Sequence, residues 1–165
     1  MKIILLLLQT GDIKNKDKHL FFIVNNPLTA SYIVLILHHM QVLIVEPLYT
    51  PMSQQDIDTL MPNLLQAFGH PPERLIIDQS GSNMGTYLRA WCDKMKLPYD
   101  TVKMSPFIND LEQSITGHLR GIDKADAVIM FTKTHSVIQD VVSVACGRKK
   151  IPLIIYYLQE AGLVG

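Results

Sequence analysis

Arg74-Leu75-Ile76-Ile77-Asp78, followed by Gln79-Ser80-Gly81-Ser82-Asn83-Met84-Gly85 and then by Leu88, Trp91, Cys92 and Met95 at three-and-four spacing, is the stretch on which the fold turns. A short apolar, β-branched run closed by polar residues and glycine reads as a strand. Apolar residues recurring every three or four places, beginning at Met84, read as the buried stripe of a helix. A continuous apolar strand running through a glycine turn straight into a helix is half of a strand–helix–strand unit, the building block of parallel sheets.

The same alternation extends in both directions. Before it, Val42-Leu43-Ile44-Val45 is an apolar strand ended by Glu46-Pro47. Ser53 is placed to cap a helix with Ile57, Leu60, Met61, Leu64, Leu65 and Phe68 on one stripe, stopped by Gly69 and Pro71-Pro72. Pro62 inside that stripe predicts a kink or a late start. After it, Pro98 opens a strand from Tyr99 to Met104. Asn109 with Glu112 forms a capping box for a helix carrying Leu111, Ile115, Leu119 and Ile122. Ala127-Val128-Ile129-Met130-Phe131 is the next strand. Ser136 with Gln139 forms a second capping box, Val137, Ile138, Val141, Val142 and Ala145 supply a stripe, and Gly147 marks its end. Ile151 to Leu158 is the last strand.

The first forty residues are less regular. Met1 to Leu8 and Leu20 to Val24 read as two strands of a hairpin across a polar, lysine-rich turn, and Thr29 can cap a short helix reaching Met40, although Ile33, Val34 and Ile36 would equally accept a strand. The opening apolar run is short and lacks a small-residue cleavage pattern, so it reads as a strand and not as a secretion signal. The reading is therefore an α/β fold, a Rossmann-like three-layer arrangement with a mostly parallel sheet plus an N-terminal strand/hairpin extension. Residues 1–165 form one domain, with 1–40 packed on the sheet and 41–160 as the core.

Composition narrows the function. Lys plus Arg and Asp plus Glu are 15 each, so the formal net charge is zero, which argues against a nucleic-acid binder working through a broad basic face. The apolar stretch from Ser31 to Leu48 is interrupted by His38, His39, Gln41 and Glu46, so no membrane span is expected. Two cysteines, Cys92 and Cys146, each on a predicted apolar helix face, behave as small buried hydrophobes, and a cytoplasmic location is favoured. The histidines His38, His39, His70 and His118 lack metal-ligand spacing with Cys, Asp or Glu, so no metal is assigned and no cofactor is called for.

In a parallel sheet the loops after each strand gather along one edge, where ligands bind. Three stretches line it: Glu46 to Thr50, Asp78 to Gly85, and Thr132 to Ser136. Ser80, Gly81, Ser82, Asn83 and Gly85 would let backbone amides approach an anion, with Arg120 or Lys133 neutralising charge and Thr132 and Ser136 in the matching later loop. The turn is neither a Walker loop nor the dinucleotide fingerprint. A plain structural turn is the competing reading. For bond cleavage, Asp78 and Glu46 at strand ends are the candidate carboxylates and His135 the candidate proton carrier. Each of the three also has an ordinary structural role open to it, as a turn cap or a surface residue.

Residues from about Val42 to Tyr157 resemble the SLOG superfamily of Rossmann-like nucleotide-ligand binders, in particular its small YspA-like branch. The resemblance rests on Ser80-Gly81-Ser82-Asn83-Met84-Gly85 in place of a glycine-rich loop and on Trp91 in the helix after it. Leu97-Pro98 before a strand, Arg120 ahead of Ala125-Asp126 and the Ala127 to Phe131 strand, and Lys150-Ile151-Pro152 complete it. The sequence departs from the family where Ser80 replaces the first glycine, Gly121 replaces an asparagine, and Glu46-Pro47-Leu48-Tyr49 replaces Thr-Gly-Ser-Arg. The loop arginine and aspartate and a later Gly-Thr are also missing. The resemblance implies binding of a nucleotide or nucleotide-derived ligand, as a sensor or sequestering module. One alternative it implies is a hydrolase or transferase cleaving an N-glycosidic or phosphoribosyl bond. A protein-interaction domain with a decayed pocket is a third reading, and a homodimer is compatible with each.

Overall fold

A computed structural model describes residues 40–47, 52–69, 71–79, 82–104 and 110–158. Five strands, β1 (Gln41–Val45), β2 (Arg74–Asp78), β3 (Tyr99–Val102), β4 (Ala127–Thr132) and β5 (Leu153–Tyr157), alternate with four helices, α1 (Gln54–Gln66), α2 (Asn83–Met95), α3 (Leu111–Lys124) and α4 (Val137–Lys149). The sheet order is β3-β2-β1-β4-β5 and every pairing is parallel. This is a Rossmann-like three-layer α/β fold. The hairpin, helix and packing expected of residues 1–39 lie outside the described residues.

The alternation of side chains along each strand divides the core in two. Val42, Ile44, Leu75, Ile77, Ala127 and Ile129 pack with Ile57 and Met61 of α1 and Met84, Leu88 and Trp91 of α2. Leu43, Val45, Ile76, Val128 and Met130 pack with Ile122 of α3 and Val142 and Cys146 of α4. Every residue of β4 is buried, and so are four of the five in β1 and in β2, which is why these segments read as unbroken apolar runs. Edge strand β3, Tyr-Asp-Thr-Val, leaves Asp100 and Thr101 exposed.

Local signals mostly placed the elements, with informative shifts. Ser53 caps α1 with Asp56 in a complete capping box, and the helix runs through Pro62 without a late start. The cap of α3 is Asp110, whose side chain accepts from Gln113 N–H, and not Asn109, which lies outside the described residues. Ser136 caps α4 by accepting from Gln139 N–H, but the Gln139 side chain does not return to the cap. It turns inward and donates to Tyr157 Oη at 2.8 Å. Gly147 does not end α4, which continues to Lys149 before Lys150 takes a left-handed conformation, φ 64°. The Ile151 N–H then reaches back to the Cys146 carbonyl and satisfies the helix end. The last strand begins at Leu153, not Ile151, and the third ends at Val102, not Met104.

Glycines set how closely α3 lies on the sheet. A Cβ at Gly117 would stand 2.6 Å from the Lys103 carbonyl oxygen and 2.7 Å from Met104 Cα, and one at Gly121 would stand 3.0 Å from Leu43 Cδ1. Cys92 and Cys146, both free and buried, belong to opposite faces of the sheet and cannot pair.

Candidate functional site at the carboxyl edge of the sheet

The strand order reverses between β1 and β4. The chain steps from β1 to β2 to β3, returns through α3, and resumes beside β1. In open parallel sheets, ligands bind at the carboxyl ends of the strands beside such a reversal. Glu46, immediately after β1, lies at that point and is only 6% exposed.

Alternation turns Glu46, like Ile44, toward the α1/α2 layer, where it meets the first turn of α2. Ser82, the N-cap of α2, donates its hydroxyl hydrogen to Glu46 Oε2 in a close contact and accepts from Gly85 N–H at 2.9 Å. Gly85 makes this approach feasible, since a Cβ there would stand 3.0 Å from Ser82 Oγ and 3.1 Å from Glu46 Oε1. The other carboxyl oxygen, Oε1, is buried and has no hydrogen-bond partner among the described residues. Burial pushes the Glu46 carboxyl up from an ordinary 4.5 to about 7. The Ser82 hydrogen bond opposes that rise, the Asp78 carboxylate adds to it, and the Arg89 guanidinium and the Gly85 amide pull against it. Near neutral pH the group is therefore divided between its acid and its base forms.

Asp78, at the end of β2 and 1% exposed, stands two residues beyond Ile76 along the strand and so faces, like Ile76, the opposite layer. Its Oδ1 accepts the Met104 N–H at 2.9 Å and anchors the chain after β3. His118 of α3 is buried on that side. Its Nδ1 bonds the Ser114 carbonyl at 2.7 Å, and burial holds its pKa below the usual imidazole value, against the Ser114 bond and the nearby Asp78. The structure does not bring Glu46 and Asp78 to one face. Asp78 holds backbone in place, and Glu46 is the carboxyl left with a free oxygen.

The remaining predicted residues divide in the same way. Ser82, Asn83 and Gly85 form the start of α2, while Ser80 and Gly81 lie outside the described residues. Thr132 is buried at the end of β4 with Oγ1 donating to the Thr134 carbonyl at 2.6 Å; Lys133 beside it is exposed, and Ser136 caps α4. His135 is exposed, and its Nε2 lies 2.7 Å from Asp140 Oδ1, a hydrogen-bonding contact on the surface. Arg120 lies apart, in a polar groove with Lys103, Asp110 and Gln113 between α3 and the residues that follow β3. Asp126, the second residue of the motif Ala125-Asp126, accepts the Gln41 N–H at 2.9 Å and fastens the start of β1.

Two participants escaped the sequence reading. Arg89 reaches the carbonyl of Asp78 and Thr86 Oγ1 from α2, beside Glu46. Its signal was present, because Ser82, Gly85 and Arg89 recur at three-and-four spacing on one helix face. Gln139 is buried and bonded to Tyr157, but its Oε1 has no partner among the described residues. Its pattern as a cap residue concealed that inward turn. Among the described residues no group of three His, Cys, Asp or Glu side chains is arranged to hold a metal, and no helix is long and apolar enough to cross a membrane. Compared with known proteins, the chain matches no family model and no curated protein at a significant level.

Proposed function

We propose that this chain binds a nucleotide-derived small molecule at the carboxyl edge of the sheet, with Glu46 as the group that receives it. The observation that carries this reading is the buried Oε1 of Glu46, which has no hydrogen-bond partner among the described residues, at the strand-order reversal. Leaving such an atom without a partner costs about 1–3 kcal/mol or more, a cost that a ligand hydroxyl or amino group donating to it would remove. The resemblance of residues 42–157 to SLOG nucleotide-ligand binders points to the same class. Glu46 already engages the first turn of α2 through Ser82, so the ligand's sugar or base, and not its phosphate, meets that turn. Phosphate falls to Thr132, Lys133 and Ser136 at the start of α4.

A second reading, a hydrolase or transferase acting on an N-glycosidic or phosphoribosyl bond, draws on one observation, the Glu46 carboxyl raised to about 7. A group half protonated at neutral pH can give a proton to a leaving base or take one from water. Asp78, turned to the other layer and bonded to Met104, supports Glu46 only through its charge.

Thermal-shift measurements with a panel of nucleotides, NAD, ADP-ribose and cyclic nucleotides, together with mass spectrometry of co-purifying molecules, test the proposal. A binder raises the melting temperature by mass action, and Glu46→Ala abolishes that rise. No shift across the panel and no released molecule would leave the interaction domain with a decayed pocket as the better account. Chromatography of an incubated ligand then separates the two readings: free base or ribose phosphate marks the enzyme, intact ligand the binder.

A further inference from the structure

We infer that the outer face of α3 and α4 is the contact surface between two copies of this chain, related by a two-fold axis passing near Val144. Six large hydrophobic side chains are exposed among the described residues, and four of them, Leu111, Leu119, Val137 and Val144, stand on these two helices. Between the helices runs a groove of about 630 Å³ whose floor is Ile115, Leu119, Val141, Val144 and Ala145. α4 buries Val142 and Cys146 against the sheet and still presents Val137 and Val144 on its outer side. Apolar side chains on both the inner and the outer side of a helix suit one that is covered on both sides.

Charge selects a second copy as the cover. The groove is bordered by Asp140 toward the start of α4 and Arg148 toward its end, four residues before and four after Val144. At a rise of 1.5 Å per residue, each charge lies about 6 Å from Val144 along the helix. A two-fold axis at Val144 lays α4 antiparallel on its mate, sets Val144 against Val144, and places each Asp140 opposite the mate's Arg148. An isologous contact requires this self-complementarity. A mixed-sign border closing around an apolar centre also has the composition of a stable interface.

Sedimentation velocity across a range of protein concentrations tests the arrangement. The expected species has twice the mass of one chain. Val144→Glu sets two carboxylates against each other at the axis and should weaken association by at least about 100-fold, because facing like charges cost several kcal/mol. Its circular dichroism and melting should match those of the wild-type monomer, because Val144 is already exposed. Asp140→Lys and Arg148→Glu should each weaken the dimer about 10-fold, and the double variant, with the charges exchanged, should recover most of that loss, as coupled pairs do. Both charges are on the surface, so this cycle holds even if Val144→Glu folds poorly. A monomer at every concentration, which is also what residues 1–39 or another protein covering the groove would give, overturns the inference. So does a dimer indifferent to Val144→Glu, or a double variant no tighter than the single ones.

Discussion

Glu46 carries a carboxyl whose proton affinity changes on folding, and the sign of that change fixes how it acts on stability. Its folded pKa, about 7, lies above the 4.5 of the ordinary group. Between those values the folded protein binds the proton and the unfolded chain does not, so stability falls as pH rises. The contribution is fully present below pH 4.5 and is gone once pH passes through about 7. A shift of this size corresponds to about 3 kcal/mol, at 1.36 kcal/mol per unit. Urea unfolding from pH 4.5 to 7.5 should therefore show the wild type losing about 3 kcal/mol relative to Glu46→Gln, which keeps the shape and cannot ionise. Parallel curves for the two proteins would show that Glu46 is not held at a raised pKa.

At the scale of the element, α3 is placed by what its glycines lack. Gly117 faces backbone, the Lys103 carbonyl and Met104 Cα, whereas Gly121 faces the movable end of the Leu43 side chain. An added methyl gains about 1 kcal/mol of helix propensity at either position. At Gly117 that gain is outweighed, because backbone anchored by the Asp78–Met104 hydrogen bond has no room to retreat. Gly117→Ala should lose about 1–3 kcal/mol net, while Gly121→Ala, where Leu43 can shift, should stay within about 1 kcal/mol of wild type. Denaturant midpoints of the two variants decide it, and equal values would mean that α3 rides higher on the sheet. The helix is also tied at its far end by Lys149, whose Nζ donates to the carbonyls of Ile122, Asp123 and Ala125 at 2.6–2.7 Å.

In the molecule as a whole, the two thiols report on the two layers. Cys92 is buried between the sheet and α1/α2, and Cys146 between the sheet and α3/α4; burial pushes both up to about 12. A protonated, enclosed thiol does not attack a disulfide reagent. Neither cysteine should react with Ellman's reagent in the native state, and along a denaturant titration both should become reactive in one transition. Both layers share the same sheet, so the described core is expected to unfold as one cooperative unit. Reaction of one thiol well before the other would show that a helical layer detaches by itself.

Much of this was legible in the residues. The apolar runs Val42–Val45, Leu75–Ile77 and Ala127–Phe131 and the helical stripes between them specify parallel strands covered on both faces, since only that setting tolerates such unbroken hydrophobicity. The expectation of a site at the strand ends comes from the same pattern. What the sequence by itself could not determine is direction across the sheet. Glu46 and Asp78 both read as carboxylates at strand ends, and only the register between β1 and β2 sends one toward α2 and the other toward α3. Gln139 read as a cap, and only the nearness of β5 to α4 turns it inward to Tyr157. Periodicity records whether a residue is buried. Which layer buries it, and which partner it finds there, depends on pairings between segments far apart in the chain, and these exist only once the sheet has formed.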